Sequence, residues 1–204
     1  MGVLMSKTNK GQIGYAIAGV IFLAIGLAVF AVRLAHAGPY ALPGGAAFIG
    51  ALLAIALGAF LLWPGKPRFT GLVAIVVAIF ASLPAFYSIV GESEEVISLY
   101  ALDSDNNPVD LRLWIVDRSD GAWVGMGRSK AVTHNLDGAR LDMLRGGETI
   151  CVTPALVEDR STVGKIHKMK VDKYKAAQIS ASIGMYPREA SENTVALRLD
   201  PCSS

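Results

Sequence analysis

The chain has 204 residues, 52% of them hydrophobic, and its charge is unevenly placed. All 17 acidic residues lie at Glu92 or later, and the only charges before that point are basic: Lys7, Lys10, Arg33, Lys66 and Arg68. This excludes one uniformly soluble domain and divides the chain into 1–91, with net charge +5, and 92–204, with net charge −3. The negative balance of the second part also argues against nucleic acid as a partner.

Three uncharged apolar runs, 13–32, 46–63 and 71–90, fill the first part. A hydrocarbon core ~30 Å thick needs about 20 apolar residues at 1.5 Å rise each, so the runs predict a three-helix transmembrane anchor. Lys7 and Lys10 precede the first run and Lys66 and Arg68 sit between the second and third, whereas the first loop holds Arg33 alone. That bias predicts a cytoplasmic N-terminus and, after three crossings, a C-terminal domain outside the inner (plasma) membrane, in the bacterial periplasm. Gly and Ala recur in "GVIFLAIG" and "GALLAIALG", where helices can approach closely. Pro84 is expected to bend the third run. No ionisable residue lies within any run, which argues against a transporter, proton path or channel.

From Glu95 onward the pattern changes to short β segments. "EVISLYALD" predicts a strand closed by the turn-rich "SDNNP". "VDLRLWIVD" alternates, with Leu111, Leu113 and Ile115 on one face and Arg112, Trp114 and Val116 on the other. "RSDG" suits a tight hairpin into "AWVGMGR". "SKAVTHNLDG" predicts a short helix capped by Ser129 and stopped at Gly138. "ARLDMLRGG" and "ETICVTPALVED" form a further hairpin turning at Gly146 and Gly147. Residues 160–184 predict a helix over most of their length, and "NTVALRLD" a last strand. The expected fold is therefore an α+β membrane protein: three transmembrane helices (1–91), then a small six-stranded barrel (92–204) with a short inserted helix and a longer C-terminal one.

The segments "NPVDLRLWIVDRSDGAWVGMGRSKAVTHNL", "LRGGETICVTPALVED" and "DKYKAA" resemble the FMN-binding split barrels of the pyridoxamine-phosphate-oxidase-like superfamily. Within it, the deazaflavin-dependent nitroreductase-type proteins are most similar. The likeness covers roughly 96–177 and rests on the turns of the barrel. It implies FMN or a deazaflavin as cofactor, with Arg112, Arg128, Ser129 and Lys130 as the residues to hold a phosphate, the last three at the opening of the short helix. It also implies a homodimer through the barrel. The chain departs from the pattern in two places. The first hairpin, cationic in cofactor-binding members, is "DSDNNP", whose Asp103 and Asp105 would repel a phosphate. The short helix has His134 where a tryptophan usually precedes Asn-Leu.

No other chemistry stands out. His36, His134 and His167 have no metal-ligand spacing, and no catalytic residue or metal site is expected. Cys151 and Cys202 can pair in an oxidising compartment or stay free thiols in a reducing one. "KIHKMKVDKYK" reads as a solvated basic face or a ridge against acidic lipid or an acidic partner. Trp114 and Trp123 lie on adjacent strands, as core or, with Lys165 and Lys168, as a partner surface. Three readings remain open. The first is an accessory or assembly subunit of a larger inner-membrane complex, non-catalytic and with no cofactor. The second is a membrane-anchored FMN or deazaflavin oxidoreductase. The third is a small-ligand-binding module.

Overall fold

The computed structural model describes residues 9–35, 39–40, 46–63, 71–77 and 89–203. The chain forms two compact units, one of Met1–Ala37 with Leu42–Ile89 and one of Gly38–Ala41 with Val90–Ser204.

In the first unit, helix α1 runs Asn9–Ala35 and α2 runs Ala46–Leu62. They pack antiparallel through glycines. A Cβ at Gly19 would sit 2.9 Å from the Gly58 carbonyl oxygen, and one at Gly26 would sit 2.8 Å from that of Ala51. The small residues noted in the sequence thus serve contact between these two helices. Val29 and Ala51 are fully buried, while Ile17, Val20, Ile21 and Leu27 point outward.

The expectation of three transmembrane helices is not met. Among the described residues one helix, Ile13–Ala35, is long and apolar enough to cross a bilayer, with 23 residues. The apolar part of α2, Phe48–Leu62, is shorter; the whole of α2, at 17 residues, spans about 26 Å, less than the ~30 Å hydrocarbon core. The third run is helical at 71–77. Its remainder up to residue 88, including Pro84, lies outside the described residues.

The second unit is a closed antiparallel barrel in the order β1-β2-β3-β6-β5-β4. Its strands are β1 (Val96–Leu102), β2 (Pro108–Arg118), β3 (Gly121–Gly127), β4 (Leu141–Arg145), β5 (Glu148–Val157) and β6 (Thr194–Pro201). Each lies within about two residues of a predicted segment, because alternation places Ile97, Leu99, Leu111, Leu113, Ile115, Val124 and Leu197 in one interior core. The β4–β5 turn uses Gly146 and Gly147 at φ +58° and +89°, as a two-residue hairpin of that hand requires.

Three helices complete the unit: α3 (Arg128–Thr133), α4 (Arg160–Lys173) and α5 (Lys175–Ser182). The predicted Ser129 cap on α3 is not formed. Gly127 holds the cap position without a side-chain bond, and the Arg128 N–H donates to the Asn193 carbonyl at 2.7 Å. The first amide of the helix is thus satisfied by the segment that leads into β6. The expected single helix over 160–184 is broken at Tyr174, whose backbone is extended. Helices α4 and α5 cover the outer face of β2, β3 and β6, where Val116, Trp123 and Ala196 meet Val163, Ile166, Tyr174 and Ala177. Both faces of β2 are therefore buried around Ile115 and Val116.

Candidate functional site

The side chains singled out for a phosphate lie on two elements and are committed within the fold. Arg112 stands on the outer face of β2, paired in register with Ser98 of β1. Its Nε donates to Glu92 at 3.1 Å and its terminal nitrogen also ion-pairs with that carboxylate. Glu92 is nearly buried there, with a side chain 7% exposed, so this pair is shielded from water. Arg128 opens α3 and forms an ion pair with Glu158, just past β5. Ser129 is exposed and Lys130 is half-buried, with burial pushing its amine below the usual lysine range.

The acidic turn between β1 and β2 is occupied by its own backbone. The Asp103 carboxylate accepts from the Asp105 N–H at 2.9 Å and the Asn107 N–H at 2.8 Å. These bonds, the Asn107 backbone first, hold Asp103 below the usual carboxylate range, so it stays charged. Asn106 takes the left-handed conformation, φ +61°, that closes the turn. An anion would meet a fixed negative charge here. The described residues therefore do not fit a flavin phosphate: two of the cations are already neutralised and the turn that should cradle it is anionic.

His134 is at the C-terminal end of α3, where its Nδ1 bonds the Leu102 carbonyl oxygen at 3.1 Å and joins the helix to the end of β1. Among the described residues no cluster of three or more His, Cys, Asp or Glu could hold a metal ion. Cys151 and Cys202 are joined by a disulfide that ties the tail after β6 to β5, alongside a Cys202 N–H bond to the Cys151 carbonyl at 3.2 Å.

Trp123 offers no surface to a partner. It is 3% exposed under α4, and its indole N–H donates to Asp120 at 3.0 Å. Trp114 is partly buried and stacks on Tyr174, with ring centroids 4.9 Å apart. Lys165 and Lys168 are exposed on α4, and Lys168 pairs with Asp172 at 2.6 Å.

The "KIHKMKVDKYK" segment is not uniformly solvated. His167 and Lys170 are buried, at 4% and 7% exposure. His167 bonds the Pro187 carbonyl through Nε2 at 2.9 Å, and its ring lies parallel to that of Tyr186. Burial and the nearby Lys170 charge hold it below the usual histidine range against that bond. The Lys170 ammonium donates to the Gly125 carbonyl at 3.3 Å and lies 5.6 Å from the Tyr186 ring centre. Burial pushes its pKa down to about 8. The spacing Val163, Ile166, His167, Lys170, Tyr174 is that of one buried helix face, a signal present in the sequence but masked by the lysines around it.

No family model matches the chain, and neither does any curated protein sequence. Solved structures do match the barrel unit. HutZ, the heme storage protein of Vibrio cholerae, is 12% identical over 55% of this chain and 85% of its own, with TM-score 0.40. A conserved hypothetical protein of Mycobacterium tuberculosis is 15% identical over 54% and 75%, also at 0.40. A candidate pyridoxamine 5'-phosphate oxidase of Listeria innocua is 17% identical over 55% and 87%, at 0.37. These neighbours fit the six-stranded split barrel that the sequence resembles. At these identities and TM-scores they carry no argument about what the chain does.

Proposed function

We propose that this chain is a membrane-anchored accessory subunit of a larger inner-membrane complex, with its split barrel serving as a non-catalytic interaction module. The observation that carries this reading is the internal use of the charges a flavin would need: Arg112 on Glu92, Arg128 on Glu158, and Asp103 closing the first turn. Ile179, Ile183 and Met185 add an apolar surface on and beyond α5, each about half exposed, of the kind that marks contact with another protein.

The anchor in this reading is α1, whose apolar window is only 22% buried, so most of it is free to face lipid. Lys7 and Lys10, ahead of its apolar stretch Ile13–Ala35, favour a cytoplasmic N-terminus. The Cys151–Cys202 disulfide favours an oxidising compartment, here the periplasm, for the barrel. A periplasm-dependent reporter fused after Ser204 should be active, and an active cytoplasmic reporter would overturn the placement.

The test of function is purification of the tagged chain in mild detergent, with an absorbance spectrum from 300 to 500 nm and mass spectrometry of what accompanies it. A colourless protein with reproducible membrane partners, lost in Ile179→Asp with Ile183→Asp, supports the accessory role. A stoichiometric flavin band that Arg128→Glu and Lys130→Glu abolish would replace it with an FMN or deazaflavin oxidoreductase. A chain that purifies alone, as monomer or homodimer, also overturns it.

A further inference from the structure

A surface groove of about 790 Å³ lies between α4, α5 and the segment 188–190. That is within the ~300–1,000 Å³ range of ligand sites. Its floor is made by small or apolar groups, Gly164, Val171, Ala181 and Ala190. A Cβ placed on Gly164 would meet nothing within 4 Å, so the helix backbone there borders open space.

One wall is held by Arg160. The Arg160 guanidinium donates to the carbonyls of Ala190 at 3.1 Å and Ser191 at 3.0 Å, and to those of Glu192 and Thr194 at 3.4 Å. This fixes the 190–194 backbone against α4 and leaves the positive charge of Arg160 uncompensated by any carboxylate in that set. The rim charges are otherwise Lys168, Asp172, Arg188 and Glu189. Asp172 is engaged by Lys168 at 2.6 Å. Glu189 is the other carboxylate of the rim, and among the described residues Arg188 makes no hydrogen bond or ion pair.

We infer that this groove is a binding site for a small amphipathic anion, its apolar body on the Gly164–Ala181–Ala190 floor and its acidic head on Arg188. The guanidinium presents a planar fork that matches a carboxylate or a phosphate. The Arg160 charge behind it raises the local potential for the same sign of ligand. The site is separate from Arg128, Ser129 and Lys130, and it does not depend on the accessory role. A chain that purifies without protein partners would leave it standing, because the readout below is ligand labelling of the isolated chain.

The test is photolabelling of the detergent-solubilised full chain with 4-azidobenzoate, followed by peptide mapping. Label should concentrate in 160–172 and 178–190 and be suppressed by excess benzoate or phenyl phosphate, the stronger competitor identifying the head group. The uncharged 4-azidobenzamide should label the same peptides at least ten-fold less. Arg188→Glu should reduce the competed label at least ten-fold, and Arg188→Lys should retain most of it. Gly164→Phe fills the floor from an open helix position and should abolish the label with no drop in melting temperature. Label spread evenly over the surface, or competed by neither anion, would overturn the inference. So would label unchanged in both Arg188→Glu and Gly164→Phe when these melt like the parent.

Discussion

The Tyr174 hydroxyl grips both backbone groups of Ile115, accepting from its N–H at 2.9 Å and donating to its carbonyl at 2.6 Å. Tyr174 sits where α4 ends and α5 begins, and it is 1% exposed. One side chain thus breaks the helix and fastens both halves to the centre of β2. Burial, first among the causes, pushes its pKa well above the ordinary tyrosine value, so the hydroxyl keeps its proton. Tyr174→Phe keeps the ring and its stacking on Trp114 but leaves a buried N–H without an acceptor. Such a group costs about 1–3 kcal/mol. Thermal or urea unfolding in detergent should show that loss, and an unchanged melting temperature would mean the clamp is not formed.

The disulfide gives a second prediction. Cys151 and Cys202 are 51 residues apart in sequence, and the bond joins the end of β6 to β5 beside the Val152–Pro201 pair. Closing a loop of that length removes unfolded-state entropy worth about 2–4 kcal/mol. Reductant, or Cys202→Ser, should lower stability by that order. Native protein should take up no maleimide until reduced, and rapid labelling without reductant would refute the bond.

The strands were legible in the sequence because each interior position recurs at period two and each turn carries Gly, Asp or Asn. The split-barrel likeness lay in those same turns. Hydropathy alone could not distinguish an apolar run from a helix long enough to span, which is where α2 departs from expectation. Lys170 was hidden because five lysines in eleven residues look solvated, although Val163, Ile166 and Tyr174, seven and four positions before it and four after it, are apolar. Arg112 looked available for a phosphate because its partner Glu92 lies 20 positions earlier, beyond any local pattern. Such charge pairs are set by how neighbouring strands and their flanking segments come together, and a strand-by-strand reading sees only one member.

Arg145 shows the same long-range pairing and has a pH signature. It donates to both oxygens of Asp117, at 2.8 and 2.7 Å, and to Glu95 at 2.8 Å. Lys173 bonds Glu95 from the other side at 2.5 Å. The Arg145 hydrogen bond holds Asp117 below the usual carboxylate range against a smaller effect of burial. For Glu95, burial acts first and upward, but the Lys173 and Arg145 bonds together bring it down. Both groups bind protons more readily when unfolded, so their contribution is complete above the ordinary carboxylate values and fades as pH falls through the lowered folded ones. All four side chains are substantially exposed, and each pair is worth up to about 1 kcal/mol. Acid unfolding should flatten below pH 5 in Asp117→Asn with Glu95→Gln. An acid limb identical to the parent's would show that the cluster contributes nothing.

Lys170 carries the opposite sign. Its folded pKa, about 8, lies below the ordinary lysine value of 10.5, because burial opposes the charge and no carboxylate answers it. The ammonium lies close over Gly125, where a Cβ would come to 3.5 Å from Nζ, an ordinary contact distance. The unfolded chain binds the proton more tightly, so this group makes stability rise as pH climbs from about 8 toward 10.5, and its cost is fully present below about pH 8. A shift of that size corresponds to about 3 kcal/mol, reduced in practice by relaxation around the site. Lys170→Met keeps the length and apolar stem while removing the charge. It should raise stability at pH 7 by about 1–3 kcal/mol and abolish the rise between pH 8 and 10. Unfolding midpoints of parent and variant across that range decide it. If Lys170→Met is less stable at pH 7, the Gly125 bond and the Tyr186 contact outweigh the cost of burial, and the ammonium stabilises this face of the barrel.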